Sequence, residues 1–200
     1  MNFIKSLTVF SLLLSVVNTN AQDEASIAIP NSKWINSVSE YNLKDAYNRS
    51  NIKSVVSTAY CIEENDSIIK GSKYLKVNDC LGKYLGSIRE NKRKTFFITK
   101  GSSKEKLVYD FSVSRGDTVK HLLIRDKLNA TSYNVHSDIV TSVDSVEVYG
   151  EVRKRINFEK ASWVDGIGNV DGFLTGHYGQ KLKYDFDLTC MSSNNKMLYP

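Results

Sequence analysis

KLKYDFDLTC, residues 181–190, is the stretch on which the fold turns. Its apolar residues fall at every second position: Leu182, Tyr184, Phe186, Leu188 and Cys190. Lys181, Lys183, Asp185, Asp187 and Thr189 fill the positions between. Successive side chains of a strand point to opposite faces, so the alternation predicts a half-buried strand with its apolar face on a core. A helix would repeat its apolar residues at three and four positions, and no long run of that kind occurs. The same parity places Cys190 on the core face, where a thiol packs and does not react.

Working outward, the pattern recurs. EKLVYDFSV (105–113) gathers Leu107, Tyr109, Phe111 and Val113 on one face. VRKRINF (152–158) directs Val152, Ile156 and Phe158 inward and Arg153 and Arg155 outward. Lys154 takes the inward parity, where its stem packs while its ammonium reaches out. Further strands are predicted at 54–62, 67–69, 72–77, 84–90, 93–99, 118–125, 139–143 and 145–149. Turn chemistry separates them at Glu64-Asn65-Asp66, Asn91-Lys92, Lys100-Gly101-Ser102 and Ser114-Arg115-Gly116-Asp117. One helix is expected, at 41–48 (YNLKDAYN). About ten short strands at this spacing predict an all-β antiparallel domain, either a β-sandwich or a barrel-like meander.

The chain opens MNFIKSLTVFSLLLSVVNTNAQ. Lys5 gives a positive start, Leu7 to Val17 is almost wholly apolar, and Thr19 and Ala21 are small residues at the −3 and −1 positions of a cleavage site. This order predicts a secretory signal peptide over 1–21, too short to span a bilayer. Residues 22–200 are then expected to form a single exported domain without a transmembrane segment. The formal net charge is +5, with basic clusters at Lys92-Arg93-Lys94 and Arg153-Lys154-Arg155. An exported chain rarely meets nucleic acid, so these clusters read as solvated turn and strand faces, or as contacts for acidic glycans or lipid head groups. The oxidising compartment permits a disulfide among Cys61, Cys80 and Cys190. Of the three pairings the strand pattern favours Cys61–Cys80, because Cys61 ends one strand and Cys80 follows the next two.

ENDSIIKGSKYLKV (64–77), YLGSIREN (84–91), KLVYDFSVSRGDTV (106–119), VDSVEVYGEVRKRINF (143–158), WVDGIGNVDGFL (163–174) and LTCMSSNNKMLYP (188–200) follow one another in order. In this the chain resembles an uncharacterised secreted β-rich module of Bacteroidota, often found ahead of a C-terminal sorting domain for type IX secretion. The resemblance covers roughly residues 50–200 and implies no activity. The sorting domain is absent from this sequence, which leads us to expect a periplasmic location or a cell surface reached by another route.

Several chemistries fail on spacing. ASWVDGIGNVDGFLTG (161–176) is rich in Gly and Asp. Anchored with Gly172 as position 6, a calcium loop would need oxygen ligands where Ile167 and Tyr178 stand. A dinucleotide loop would need its third Gly one residue earlier than Gly172. A tight turn after a packed Trp163 is expected instead. No nucleophile elbow, Walker loop or paired-histidine zinc motif occurs. His121, His136 and His177 read as isolated residues, so no metal is expected. Asp185 and Asp187 share a strand face, yet Lys181 and Lys183 share it too, which makes a charged stripe and not a glycosidase pair. No catalytic residue and no cofactor is assigned.

Asp66-Ser67-Ile68, Asp117-Thr118-Val119 and Asp144-Ser145-Val146 resemble the O-glycosylation motif of exported proteins in that phylum, which marks Ser67, Thr118 and Ser145 as candidate glycosylation sites. The same triplet is also how a turn hands over to a strand. The resulting expectation is a non-enzymatic binding or interaction module of the envelope, with a protein or glycan partner. A barrel-type carrier of a small apolar ligand is the alternative, and an all-β hydrolase the third.

Overall fold

The structure, a computed structural model, describes residues 25–44, 49–127, 130–174 and 184–200. The predicted signal peptide, His177, and Lys181, Leu182 and Lys183 lie outside the described residues. Strands and turns account for the described chain, and no helix occurs in it.

The order begins with β1 (Ser32–Leu43), β2 (Arg49–Ile69), β3 (Ser72–Asp79), β4 (Tyr84–Asn91), β5 (Lys94–Thr99) and β6 (Glu105–Asp110). A pair follows, β7 (Thr118–Lys127) and β8 (Ala130–Ile139). Then come β9 (Ser142–Val148), β10 (Glu151–Asn157), β11 (Ser162–Val164) and β12 (Gly168–Asn169), and last β13 (Tyr184–Ser193) and β14 (Lys196–Tyr199). The largest sheet has the order β14-β13-β1-β2-β3-β4-β5-β6 and curls into an antiparallel half-barrel. Strands β9 to β12 form a second sheet, and β7 pairs with β8 in a third. The all-β expectation holds, and the architecture is the barrel-like meander opened on one side.

Tight hairpins make the meander possible. Lys70-Gly71, Lys92-Arg93, Tyr149-Gly150 and Asn194-Asn195 all have positive φ at both positions. Turns of that hand match the twist of the strands they join. The Cys61–Cys80 disulfide forms as expected, with Cα atoms 5.2 Å apart, across the β2–β3 end of the sheet. The backbone N–H of Cys80 also donates to the Ala59 carbonyl at 3.0 Å.

Four expectations need correction. The helix at 41–48 is not formed over its described part: Tyr41 and Leu43 continue β1, opposite Ile52 and Arg49, and residues 45–48 lie outside the described residues. Cross-strand pairing overrides the weak local helix preference there. Glu64-Asn65-Asp66 is not a turn: β2 runs straight through it, and the extra residues form an irregularity between Ile62 and Asp66. The expected turn residues are absorbed as a bulge in one long strand. Cys190 does not face the core. Between Ile35 and Asn36 the partner on β13 jumps from Cys190 to Leu188, so Thr189 is the extra residue of a β-bulge. The bulge resets the parity: Leu188 is buried before it and Met191 and Ser193 after it, and Cys190 is only partly buried. Arg153, expected outside, is buried, while Val152 is exposed.

The core lies on the concave side of the half-barrel. Trp34, Ile62, Val77, Ile88 and Phe97 face it from the large sheet, and Ile156 and Trp163 from the second. Phe158 and His121 stand edge-on to the Trp163 ring, with centroids 4.5 and 4.8 Å away. Each large side chain fully buried here contributes roughly 1.5–3 kcal/mol.

Candidate functional site

The glycine-rich stretch after Trp163 is a turn, as expected, but not a surface one. Asp165 to Asn169 is buried throughout, and so are Phe173 and Leu174. The segment 165–174 plugs the half-barrel. Phe173 stacks on Trp34 with centroids 4.1 Å apart, and its edge meets Tyr60. Backbone groups buried this way need partners. Trp34 Nε1 donates to the Ile167 carbonyl at 2.8 Å. The Asn36 side chain accepts from Phe173 N at 2.9 Å and donates to Phe173 O at 3.1 Å. The Leu174 N–H donates to the Tyr109 hydroxyl at 3.1 Å, and Leu188 N–H to Val170 O at 2.8 Å. Burial pushes the Tyr109 phenol up to about 12, so it stays neutral and holds its bonds. Gly168 allows this approach: with φ of 101°, a Cβ there would sit 3.0 Å from the Tyr109 hydroxyl.

Members of both basic clusters are tied to carboxylates or carbonyls, while Lys92 is exposed. Arg93 pairs with the buried Asp165 carboxylate, and Lys94 reaches Asp110 at 3.0 Å. Arg153 donates to the Asp165 carbonyl at 2.9 Å and to Glu151 at 2.6 Å. Lys154 takes the inward path expected of it and donates to the carbonyls of Phe111 and Val113 at 2.7 and 3.1 Å. Desolvation, helped by the nearby Arg93 charge, lowers its pKa. Arg155 grips Asp144 with two bonds of 2.8 Å. These cations tie the plug and the second sheet to the first, so the expectation of solvated faces is corrected for Arg93, Arg153 and Lys154.

The structure brings together two histidines that the sequence leaves apart. His121 on β7 stands directly opposite His136 on β8. Asp138 lies between them, 2.8 Å from His121 Nε2 and 3.8 Å from His136 Nε2. His121 is buried against Trp163 and Phe158. Among the described residues no group of three or more His, Cys, Asp or Glu is placed to hold a metal ion. The pairing was invisible because β8 was not foreseen as a strand beyond its last residue.

A carboxylate meeting also differs from the expected one. Asp185 and Asp187 share a face of β13, opposite Ser39 and Ser37. The carboxylate that Asp187 influences is Asp171, in the plug. One Asp171 oxygen is buried without a hydrogen-bond partner. Burial, reinforced by the Asp187 charge, pushes Asp171 up to about 7. Tyr199 on β14 is raised by burial and by the same two carboxylates.

Two open surfaces stand out among the described residues. A cleft of about 400 Å³ has Leu75 and Ile88 in its lining, together with Pro30, Glu64, Lys73 and Glu90. The N-terminal segment bounds it, pinned where Glu90 accepts from Ser26 Oγ and from the backbone of Ile27 at 3.0 Å. The second surface is the β1–β2 ribbon. Pairing with β3 begins only at Tyr60, so upstream of Ala59 no described strand lines that edge of β2. Residues 50–57 are all exposed, including Ile52 at 52%, Val55 at 56% and Val56 at 42%.

Of the candidate glycosylation sites, Thr118 opens β7 after the Asp117 turn and is exposed, Ser145 is exposed within β9, and Ser67 is half-buried within β2. The hand-over from turn to strand therefore describes only Thr118. Comparison with known proteins returns no match: no family model, no curated protein and no solved structure resembles the chain.

Proposed function

We propose that this chain is an exported, non-enzymatic interaction module of the cell envelope that binds a protein or glycan partner. The observation that carries this proposal is the β1–β2 ribbon, whose apolar residues 52, 55 and 56 stand in solvent beside a strand edge that no described strand lines. Exposed edges of this kind pair with other chains unless something blunts them. Ile52, Val55 and Val56 contribute nothing to the core, so their apolar surface is available to a partner. The disulfide and the lack of a described helix long and apolar enough to cross a membrane are compatible with export.

A carrier needs an apolar interior. Here Phe173, Trp34 and Tyr109 occupy the concave side, and the cleft described above is open and edged by Glu64, Lys73 and Glu90. A hydrolase needs its acid to reach substrate, and the Asp171 oxygen with the raised proton affinity is buried. The test is native mass spectrometry of the mature protein from its native envelope fraction. An interaction module shows a partner complex that a Val55→Asp, Val56→Asp double variant dissolves. A small apolar adduct lost on denaturation, with no complex that depends on the ribbon, would transfer the assignment to a carrier.

A further inference from the structure

The plug is tied to β13 by one backbone bond, Leu188 N–H to Val170 O at 2.8 Å. An aspartate follows or precedes each partner: Asp171 comes after Val170, and Asp187 comes before Leu188. Two carboxylates therefore flank a single buried hydrogen bond. The buried Asp171 oxygen has no donor, and among the described residues no cation bears on it. The groups facing it are Asp187 on β13 and, further along the edge, Tyr199 on β14. Tyr199 cannot offset a charge, since it is itself driven toward its neutral form. An ionised Asp171 would thus have one oxygen desolvated and unbonded, beside a like charge.

We propose that a proton on Asp171 is a latch: while it is held, Val170 to Leu174 stays docked on β13, and its loss releases that end of the plug. The ties at Ile167, Phe173 and Leu174 are indifferent to pH between the ordinary aspartate range and neutrality. Trp34, Asn36 and the neutral Tyr109 hydroxyl hold Ile167, Phe173 and Leu174 through groups that do not titrate there. The switch at this end of the plug is therefore confined to Asp171 and its charged neighbour Asp187, and it operates on the acid side of neutrality.

Amide hydrogen exchange on the full mature chain tests this, with rates corrected for intrinsic pH dependence. The Phe173, Leu174 and Leu188 amides are expected to be less protected than those of Ile88 and Phe97 in the core strands. Their protection should fall by up to about tenfold per pH unit, the limit for one linked proton, as pH rises from the ordinary aspartate range, and should level off near neutrality, once docked Asp171 has lost its proton. Asp171→Asn should abolish that fall, and Asp187→Asn should make it level off at a lower pH. Protection equal to that of Ile88 and Phe97 at every pH would mean that the plug opens only with the whole fold, and would overturn the latch. So would a pH dependence that survives in Asp171→Asn. A carbon-detected NMR titration gives an independent check: an Asp171 carboxyl midpoint in the ordinary aspartate range sinks the idea even if the variants fail to fold.

Discussion

Asn36 does the work of two backbone partners at once. Its amide satisfies both the N–H and the carbonyl of Phe173, and all three groups are buried. Removing the side chain leaves a donor and an acceptor without water or protein to meet them. Asn36→Ala is therefore expected to cost about 2–4 kcal/mol in urea denaturation, more than the loss of its few atoms would suggest. A loss below about 0.5 kcal/mol would mean that Phe173 finds other partners. Asn36 also marks a limit of sequence reading. It stands in SKWINSV, where its parity with Ser32 and Trp34 is visible once β1 is known, but a polar residue at a core position looks like an error in the alternation. Its reason lies 137 residues away, at Phe173. Trp163, in contrast, was legible: an indole beside a glycine turn has few places to go but the core. Asp171 was legible as a turn residue and not as a buried acid, because burial depends on which strand crosses it.

At the scale of elements, turn chemistry explains which hairpins the sequence discloses. Lys70-Gly71 and Tyr149-Gly150 supply a residue that accepts positive φ without strain. Lys92-Arg93 offers neither Gly nor Asn, yet both residues sit in the left-handed region, at φ of 49° and 61°. Arg93 is held there from outside the hairpin: its guanidinium pairs with Asp165, and its carbonyl accepts from Phe111 N at 2.9 Å. Lys92 is exposed and makes no such tie. The two positions should then respond in opposite senses. Lys92→Gly relieves strain and should stabilise by up to about 1 kcal/mol. Arg93→Asn tolerates the same backbone but leaves the buried Asp165 short of its cation, and should destabilise by about 1–3 kcal/mol. Equal and small shifts in Tm for both would show that the ion pair does not hold the turn. Sequence reading fails where alternation is interrupted. β1, which mixes Ser and Asn into its core face, is missed, and β13, which is found, changes parity at Thr189. One extra residue was enough to move Cys190 off the core face while leaving the strand itself correctly placed.

At the scale of the molecule, two long-range constraints govern stability. The first is the disulfide, which closes a loop of 19 residues and should contribute about 3 kcal/mol through the unfolded chain. A Cys61→Ala, Cys80→Ala double variant should lose that amount in urea, with the folded spectrum retained, because Ala59 and Cys80 also meet through the backbone.

The second is the balance of carboxylates against pH. Glu105, Asp110 and Glu151 are lowered despite desolvation, by Arg89 and Tyr74, by Ser112 and Lys94, and by Lys196 and Arg153. A lowered acid lends stability above its unfolded pKa, and that stability is lost as pH falls through the folded value. Asp171 runs the other way. Raised from 3.8 to about 7 by burial and then by Asp187, it binds its proton more tightly folded than unfolded. Its contribution is fullest below 3.8, declines as pH rises, and is gone above about 7. Asp165, raised by burial against the pull of Arg93, acts in the same sense. The two sets meet on the acid side of neutrality, so urea stability should be greater at pH 5 than at pH 8. The Asp171 proton alone accounts for about 2–3 kcal/mol of that difference. Asp171→Asn carries no proton to lose, and should gain more stability at pH 8 than at pH 5. A wild-type profile that is flat, or highest at pH 8, would require a cation or a hydrogen-bond donor at Asp171 and would remove the reason for its raised proton affinity.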